Sequence, residues 1–259
     1  MGVDNLVLIG VNYRSAEATA KFVGTWSQLA AVTRIVVVDN YSSDAEARRI
    51  GEIARSSDKV SVLSRSNDGY GAALNAGIEY ALTNLDCLNA LVLFGNVDVY
   101  PVSIALDGVD SRFIPEIVVI QDGKARPPFL TKLQKRFIGL TRLAVWSGNP
   151  STLGLFQAVN KLVGLLPSVT WAVHGSQFAL TGDQLAKVHP IFDPRAFLYC
   201  EELFFARRVM QLRLPYRRVP VTVEHLGAVS TGSTAENWTR RWFATWRQSA
   251  KIFFEDAAR

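Results

Sequence analysis

The chain has 259 residues, of which 49% are hydrophobic and 20% charged, with a formal net charge of +5 and a pI of about 9.3. This composition is typical of a globular protein with a sizeable core, and no apolar run approaches the about 18 residues that cross a bilayer. The two cysteines, Cys87 and Cys200, form no Cys-x-x-Cys spacing, which argues against a disulfide framework or a zinc cluster. The N-terminus has no basic segment followed by an apolar one, so we expect a cytoplasmic protein.

Positive charge is concentrated in residues 124–142, 207–218 and 240–251. Such stretches allow a nucleic acid, an anionic membrane or a phosphorylated substrate as partner. The sequence has no zinc-finger, RRM or helix-turn-helix signature, and we therefore expect no nucleic acid partner.

Short apolar runs alternate with amphipathic stretches through the first 120 residues. The apolar runs predict strands at 6–11, 35–39, 60–64 and 90–94, and the amphipathic stretches predict helices at about 16–30, 44–55 and 71–82. Strands that are apolar throughout and are separated by helices predict an α/β fold, with a Rossmann-like, mainly parallel central sheet and helices on both faces.

Polar side chains follow three of these strands, at Asn12, Asp39 and Asp98. Asp98 alone is typical of a turn, and Asp39 alone could cap a helix with Ser42 and Ser43. Ligands of such sheets bind beyond the carboxyl ends of the strands, where both acids would lie on one edge. The shared edge therefore predicts a ligand site.

The second half of the chain is less regular. Residues 124–168 interleave basic and apolar residues and predict a basic amphipathic insertion, followed by strands at 170–180 and 219–224 and a helix at about 201–212. The tail, residues 233–259, predicts an amphipathic helix. Its aromatic face, Trp238, Trp242, Trp246 and Phe253, is expected to contact a membrane surface or a second subunit in a homodimer, with burial in the core as the alternative.

Several nucleotide-binding and nucleophile motifs are missing from the sequence, among them Gly-x-Gly-x-x-Gly after the first strand, a Walker sequence and a nucleophile elbow. Seven other segments occur in a definite order, at 11–17, 36–44, 67–77, 96–99, 175–180, 192–202 and 224–231. Together they resemble the family 2 inverting glycosyltransferases of the GT-A fold, and most closely their bacterial rhamnosyltransferase-like branch. The resemblance covers residues 4–232 without the insertion, and it implies one catalytic domain over 1–232 followed by the C-terminal helix.

This resemblance implies a binding site for a nucleotide-sugar donor. It places Asp39 on the base or ribose, and Asp98 and His225 on a Mg²⁺ or Mn²⁺ ion that bridges the diphosphate. Asn96 stands where many family members have an acid, which weakens cation binding at that position. His174 and His189 match no family position and are interpreted as structural. The full set implied for the donor is Asn12, Asp39, Asn67, Gly69, Gly71, Asn75, Asn96 and Asp98.

Glu201 and Glu202 open a predicted helix, where two acids are ordinarily explained by the helix macrodipole. By resemblance, the second acid of this pair is the catalytic base, which selects Glu202 with Glu201 as its neighbour. Glutamate replaces the family's aspartate here and moves the carboxylate by about 1.5 Å. We expect the helix dipole to keep Glu202 ionised at neutral pH.

The implied reaction is transfer of a sugar, with L-rhamnose from dTDP-rhamnose as the leading candidate, to a glycan or lipid-linked glycan in bacterial surface polysaccharide synthesis. A lipid-linked acceptor would favour peripheral contact with the inner face of the cell membrane. Two alternatives stay open: a catalytically impaired nucleotide-sugar-binding module, and a nucleotidyltransferase. The latter should carry a Gly-rich loop with Arg and Lys after the first strand, which residues 11–15 lack.

Overall fold

A computed structural model describes residues 2–41, 43–227 and 235–256, with only the backbone for 235–240 and 256. Ser42, residues 228–231 of the last family segment, and the side chains of Trp238 and Arg240 therefore lie outside the described part. The helices and strands in chain order are β1 Asn5–Asn12, α1 Ala16–Trp26, β2 Val32–Asn40, α2 Asp44–Ala54, β3 Val60–Arg65, α3 Tyr70–Asn84, β4 Ala90–Asn96, β5 Val99–Ile104, β6 Ile114–Gln121, β7 Lys124–Ala125, β8 Leu130–Thr131, α4 Lys132–Lys135, α5 Gly139–Ser147, α6 Pro150–Val163, β9 Thr170–Ala172, β10 Gln177–Thr181, α7 Gly182–Val188, α8 Glu201–Val209, a 3₁₀ turn Met210–Leu212, β11 Tyr216–His225 and α9 Ala235–Asp256.

The central sheet has five strands in the order β10, β4, β1, β2, β3. All neighbours are parallel except β10, which runs antiparallel to β4. Successive residues of β1 point to opposite faces, so that Val7 and Ile9 join the core under α3 and α8 while Leu6 and Leu8 pack against α1. Because both faces are covered, these strands are apolar throughout, and the predicted α/β architecture is confirmed.

A second sheet carries the order β5, β11, β6, β7 and determines where the late histidine lies. Strand β11 pairs antiparallel with β5, and His225 is the partner of Val99. The backbone N–H of Leu226 donates to the Asp98 carbonyl over 3.1 Å. This pairing brings residue 225 beside residue 98, which no sequence spacing reveals.

The prediction of one strand over 170–180 was wrong. The structure has two strands, β9 and β10, which belong to different sheets and are separated by residues 173–176. Gly175 lies in this connection, and a side chain there would collide with the Glu202 carboxylate. The chain therefore turns here to bring α8 close to the end of β4.

The insertion, residues 124–168, contributes two short strands and the helices α4, α5 and α6. Helix α9 covers α5: the Arg247 guanidinium donates to the Val145 carbonyl over 2.6 Å, and Phe243 packs with Ala144 and Leu153. No helix in the described ranges combines the length and apolar character that a membrane span requires.

For Phe253 of the tail, the structure shows the alternative, burial in the core, whereas contact of Trp242 and Trp246 with lipid or a second subunit stays a prediction. Phe253 is 5% exposed and belongs to the main core, while Trp242 and Trp246 are half-buried within the chain. The physical reason is that α5 and α6 expose apolar sides that need a cover, which the aromatic face of α9 supplies.

Candidate active site at the carboxyl edge of the sheet

The first part of the edge is a buried polar cluster where β1 and β2 end side by side. Asn12 and Asp39 are partners in the register, and the Asn12 amide donates to Asp39 Oδ1 over 3.0 Å. The hydroxyls of Ser15 and Thr19 donate to Asn12 Oδ1 at 3.1 and 3.0 Å. Burial raises the pKa of Asp39, whereas the hydrogen bond from Asn12 lowers it. Asp39 is thus fixed in orientation before any ligand arrives.

The alternative role of Asp39 as a helix cap is not what the structure shows. Helix α2 is capped by Ser43, whose hydroxyl accepts from the Glu46 backbone N–H at 3.2 Å. Asp39 is therefore available for a role at the sheet edge.

Asn40, which sequence analysis missed, extends this cluster. Its side-chain amide donates to Asn67 Oδ1 at 2.9 Å and to the Gly69 carbonyl at 3.4 Å. Its own Oδ1 is buried and has no hydrogen-bond partner within the described ranges. Native proteins leave few buried acceptors unpaired, so this oxygen is a candidate ligand contact. Its position directly after Asp39 at the end of a strand was the available signal.

Three residues predicted to bind the donor also make contacts that hold the fold together. A side chain at Gly69 would collide with the Phe197 backbone, and one at Gly71 would meet Phe192 Cβ at 2.8 Å. Asn75 accepts from the backbone N–H groups of residues 191 and 192 at 3.1 Å and donates to the Phe192 carbonyl at 2.7 Å. These residues therefore hold α3 against the 191–197 segment, and their contact with the donor stays a prediction.

The second part of the edge lies where β4 ends. The Tyr70 hydroxyl donates to Asn96 Oδ1 over 2.7 Å, and Asn96 Nδ2 lies 3.3 Å from His225 Nε2. The same imidazole nitrogen lies 3.3 Å from Asp98 Oδ1. Asp98 and His225 are both largely buried. The structure thus brings together the three residues that sequence analysis placed near the diphosphate.

His174, interpreted from the sequence as structural, lies at this edge too. Its ring packs edge-on to His225 with 6.2 Å between centroids, and its Nδ1 is 3.0 Å from Ser176 Oγ. Burial, followed by the charges of His225 and Arg126, lowers the pKa of His174 to about 4. His174 is consequently neutral at physiological pH. Its approach to His225 arises from the pairing of distant strands, so the sequence offered no signal.

The donor atoms at residues 98 and 225 fit a divalent cation. Carboxylate plus imidazole suits Mn²⁺, which accepts nitrogen ligands, better than Mg²⁺, which prefers oxygen. In the part of the chain that the structure describes, no three His, Cys, Asp or Glu side chains form a complete metal site. Oxygens of a bound diphosphate and of water would therefore have to complete the coordination.

Glu201 and Glu202 begin α8 directly after an unusual backbone turn. Tyr199 and Cys200 both have positive φ, 72° and 69°, in the left-handed region that residues with side chains rarely adopt. Such strain is concentrated at functional sites. The Glu202 carboxylate lies against Gly175, and the carbonyl of the next residue, Ser176, accepts from the Asn96 backbone N–H at 3.0 Å. Glu202 therefore faces the end of β4.

The protonation of this pair differs from the prediction. Burial, and then the charge of Glu202, raises the pKa of Glu201 to about 8, while burial raises the pKa of Glu202 to about 7. The expectation that the helix dipole keeps Glu202 fully ionised at neutral pH was wrong, because the loss of hydration outweighs the dipole. Both carboxyls therefore hold a proton more readily than an exposed glutamate does, and what distinguishes Glu202 is its position against Gly175.

The family model for Glycosyl transferase family 2 matches residues 24–100. Among solved structures, a mannosyltransferase from Pyrobaculum calidifontis in complex with GDP-mannose and Mn²⁺ is similar over 100% of this chain and 66% of its own, with a TM-score of 0.58 and 14% identity. TarS of S. aureus is similar over 86% of this chain and 37% of its own, with a TM-score of 0.51 and 13% identity. No curated protein sequence matches the chain.

The chain has the α/β fold of the GT-A glycosyltransferases. The family match covers β2, β3 and β4 with their connecting helices, which includes Asp39 and Asp98. The family match covers less than half of the chain, and the two solved structures, at 14% and 13% identity, show similarity of fold. The chain spans less than two thirds of the length of either solved structure.

Proposed function

We propose that the protein transfers a sugar, with inversion, from a nucleoside-diphosphate donor to an acceptor hydroxyl. The observation that carries this proposal is the position of Glu202, whose carboxylate reaches the strand end that bears Asn96 and Asp98. A direct displacement at a sugar carbon requires a base on one side of the carbon and groups that bind the diphosphate on the other.

In this proposal the polar cluster at the ends of β1 and β2 binds the nucleoside. Asp39, held by Asn12, accepts a hydrogen bond from the base or ribose, and Asn40 and Asn67 lie beside it. Asp98 and His225 would hold a divalent cation, which would supply positive charge to stabilise the departing diphosphate. Asn96, fixed by the Tyr70 hydroxyl, lies beside this group.

In the proposed reaction, Glu202 lies on the acceptor side of the anomeric carbon and Asp98 and His225 lie on the diphosphate side. The acceptor oxygen forms a bond to the anomeric carbon as the bond from that carbon to the diphosphate oxygen breaks. Glu202 takes the acceptor's proton, and the nucleoside diphosphate leaves with the electron pair of the broken bond. Because attack and departure are on opposite faces of the carbon, the configuration is inverted, and one base with no protein nucleophile is sufficient.

Two donors are the leading candidates. The Asn-x-Asp pattern at 96–98 and the late histidine resemble the rhamnosyltransferase-like branch and favour dTDP-L-rhamnose. The complex of the Pyrobaculum calidifontis mannosyltransferase with GDP-mannose and Mn²⁺ favours GDP-mannose. Its cation agrees with the carboxylate and imidazole found here at Asp98 and His225.

For the acceptor we propose a glycan or lipid-linked glycan of bacterial surface polysaccharide synthesis, modified in the cytoplasm at the inner face of the membrane. Support comes from the insertion, where Leu143 and Trp146 of α5 are 55% and 60% exposed near Arg142. Exposed apolar and basic residues together are suited to an anionic membrane surface. The homodimer suggested from the sequence has no such support, because Phe243 and Phe253 of α9 are buried within the chain.

The test is a donor screen with dTDP-rhamnose, GDP-mannose and UDP-sugars, each with Mn²⁺, with Mg²⁺ or with EDTA. We expect release of a nucleoside diphosphate from one donor, fastest with Mn²⁺. Binding without release in any combination would favour the impaired binding module. Release of pyrophosphate from a nucleoside triphosphate and a sugar phosphate would identify a nucleotidyltransferase.

A further inference from the structure

A cavity of about 990 Å³ opens beside Glu201 and Glu202, and Asn12, Asp39 and Asn40 are not among the residues that line it. We call it the acceptor chamber. Its walls come from the insertion and from α9, neither of which lies in the part matched by the family model. Its volume is at the upper end of what small-molecule sites occupy and far exceeds one sugar ring. The chamber is thus sized for a larger acceptor.

One wall of the chamber is aromatic. The rings of Trp242 and Trp246 are nearly parallel, 16° apart with 6.1 Å between centroids, and Tyr199 meets Trp242 edge-on. Ser249 of the same helix donates to the Leu198 carbonyl over 2.7 Å, which ties α9 to the segment preceding Glu201. Flat aromatic faces pack well against the C–H faces of sugar rings and against alkyl chains. This wall therefore offers a rigid apolar platform close to the proposed base.

A second part of the lining comes from α6 and contains both apolar and polar residues: Leu153, Phe156, Gln157, Asn160 and Lys161. Gln134 donates to the Asn160 carbonyl over 3.0 Å. The Asn160 side-chain oxygen is buried and has no hydrogen-bond partner in the described ranges. A mainly apolar site with one or two unsatisfied polar groups is typical of a pocket for an amphipathic molecule.

The mouth of the chamber exposes leucines to solvent. Leu165 and Leu166 line the chamber and are 80% and 56% exposed. Leu162, on the same stretch of chain, is 69% exposed but lies outside the lining. Single exposed leucines are ordinary, yet two at the entrance of an apolar cavity extend its apolar surface outward.

We propose that the acceptor chamber binds a glycoside with a long alkyl or polyprenyl aglycone, placing its sugar hydroxyl at Glu202 and its hydrocarbon between α6, α9 and the leucines of the mouth. The chamber is continuous with the reaction site, because Glu202 lines both. The molecule that fills the chamber is therefore the one that carries the attacking hydroxyl. This deepens the proposed function, on which the identity of the occupant as acceptor depends. The binding of an amphipathic glycoside is measurable on its own.

The experiment is calorimetric titration of the full chain, without donor, with methyl, butyl, hexyl and octyl β-glucosides below their micelle concentrations. Each added methylene that enters the chamber should tighten binding by up to about fourfold, because burying one contributes about 0.8 kcal/mol. We compare Leu165→Asp/Leu166→Asp with a matched control, Leu155→Asp/Leu162→Asp. All four leucines are exposed residues of one segment, and only the first pair lines the chamber.

We expect octyl glucoside to bind far more tightly than methyl glucoside, with a loss of at least about tenfold in Leu165→Asp/Leu166→Asp and under about twofold in the control. Affinity that does not depend on chain length, or an equal loss in both variants, would overturn the proposal. An equal loss would show adsorption to the leucine-rich surface instead of entry. A titration with nucleoside diphosphates distinguishes failure of the proposed function from failure of this proposal. If alkyl glycosides bind and no nucleoside diphosphate does, the chamber binds amphipathic glycosides but the protein is not the proposed glycosyltransferase.

Discussion

The carboxyl edge of the sheet and the acceptor chamber adjoin at Glu202, yet they are built differently. The edge is polar and tightly hydrogen-bonded, and most of its side chains follow strands of one sheet, as Asn12 and Asp39 do. The chamber is mainly apolar and is assembled from the insertion, the start of α8 and α9. The edge therefore suits one fixed ligand group, such as a nucleoside diphosphate. The chamber suits a hydrocarbon, whose binding depends on how much apolar surface it buries.

The largest effect should come from the residue at which the two regions meet. Glu202→Gln keeps the size of the side chain but cannot accept a proton, so we expect turnover to fall by roughly 10² to 10⁴ with unchanged donor affinity. Steady-state rates and nucleotide calorimetry measure the two quantities. Glu201→Gln is the matched control and should lose much less, because the carboxylate that lies against Gly175 belongs to Glu202. Near-normal turnover in Glu202→Gln would contradict the claim that the edge and the chamber share Glu202 as the catalytic base.

The next effect concerns the chamber's supporting helix. Phe253→Ala removes a buried ring that the Arg207 guanidinium covers at 3.6 Å, and should lower the free energy of unfolding by about 3–5 kcal/mol. Trp146→Ala, at a ring that is 60% exposed, should change it by less than about 0.5 kcal/mol. Denaturant titration followed by circular dichroism measures both. Equal, small effects would show that α9 is not part of the core.

The edge makes the third prediction. Asp98→Ala removes the carboxylate beside His225, and should weaken Mn²⁺-dependent nucleotide binding by about 10- to 100-fold, since contacts of charged groups contribute about 1.5–3 kcal/mol. Asp183→Ala, at an exposed acid paired with Lys187 on α7, should leave binding unchanged. Calorimetry with and without EDTA provides the measurement. Unchanged affinity in Asp98→Ala would contradict a role in cation binding and would favour the alternative that Asp98 only forms a turn.

The smallest effect is a pH dependence. A base must be unprotonated to act, and burial raises the pKa of Glu202 to about 7. The maximal rate should therefore rise about tenfold per unit at pH values well below 7 and level off above it. In Glu202→Gln the residual rate should lose this rise. A wild-type profile that is flat between about pH 5 and 8 would mean that Glu202 is not the titrating base.

The sequence predicted the features that depend on local runs of residues, and it missed those that depend on contacts between distant segments. The parallel strands and the placement of Asn12, Asp39 and Asp98 at their ends depend on local apolar runs, and the sequence reveals such runs. The proximity of His174 to His225, and of Glu202 to Gly175, depends on strands and helices that pair across the chain. The packing role of the glycine-rich stretch was missed because Gly69 and Gly71 pack against residues more than a hundred positions away.

The tail shows the limit of amphipathic patterns. Helical spacing of aromatic residues correctly predicts a helix with one apolar face, but the pattern does not say what covers that face. Here Phe243 and Phe253 meet the insertion and the main core, and Trp242 and Trp246 line the chamber. Only the packing of α9 on α5 distinguishes these outcomes.

The central claim is that one carboxylate, Glu202, activates the acceptor for direct displacement with no covalent intermediate. Proton NMR of the first product formed from an α-linked or β-linked donor reports the anomeric configuration before it equilibrates. The account predicts that the product has the opposite configuration to the donor, whether the acceptor is a sugar or water. Retention of configuration would require a protein nucleophile and two displacements, and would contradict the account.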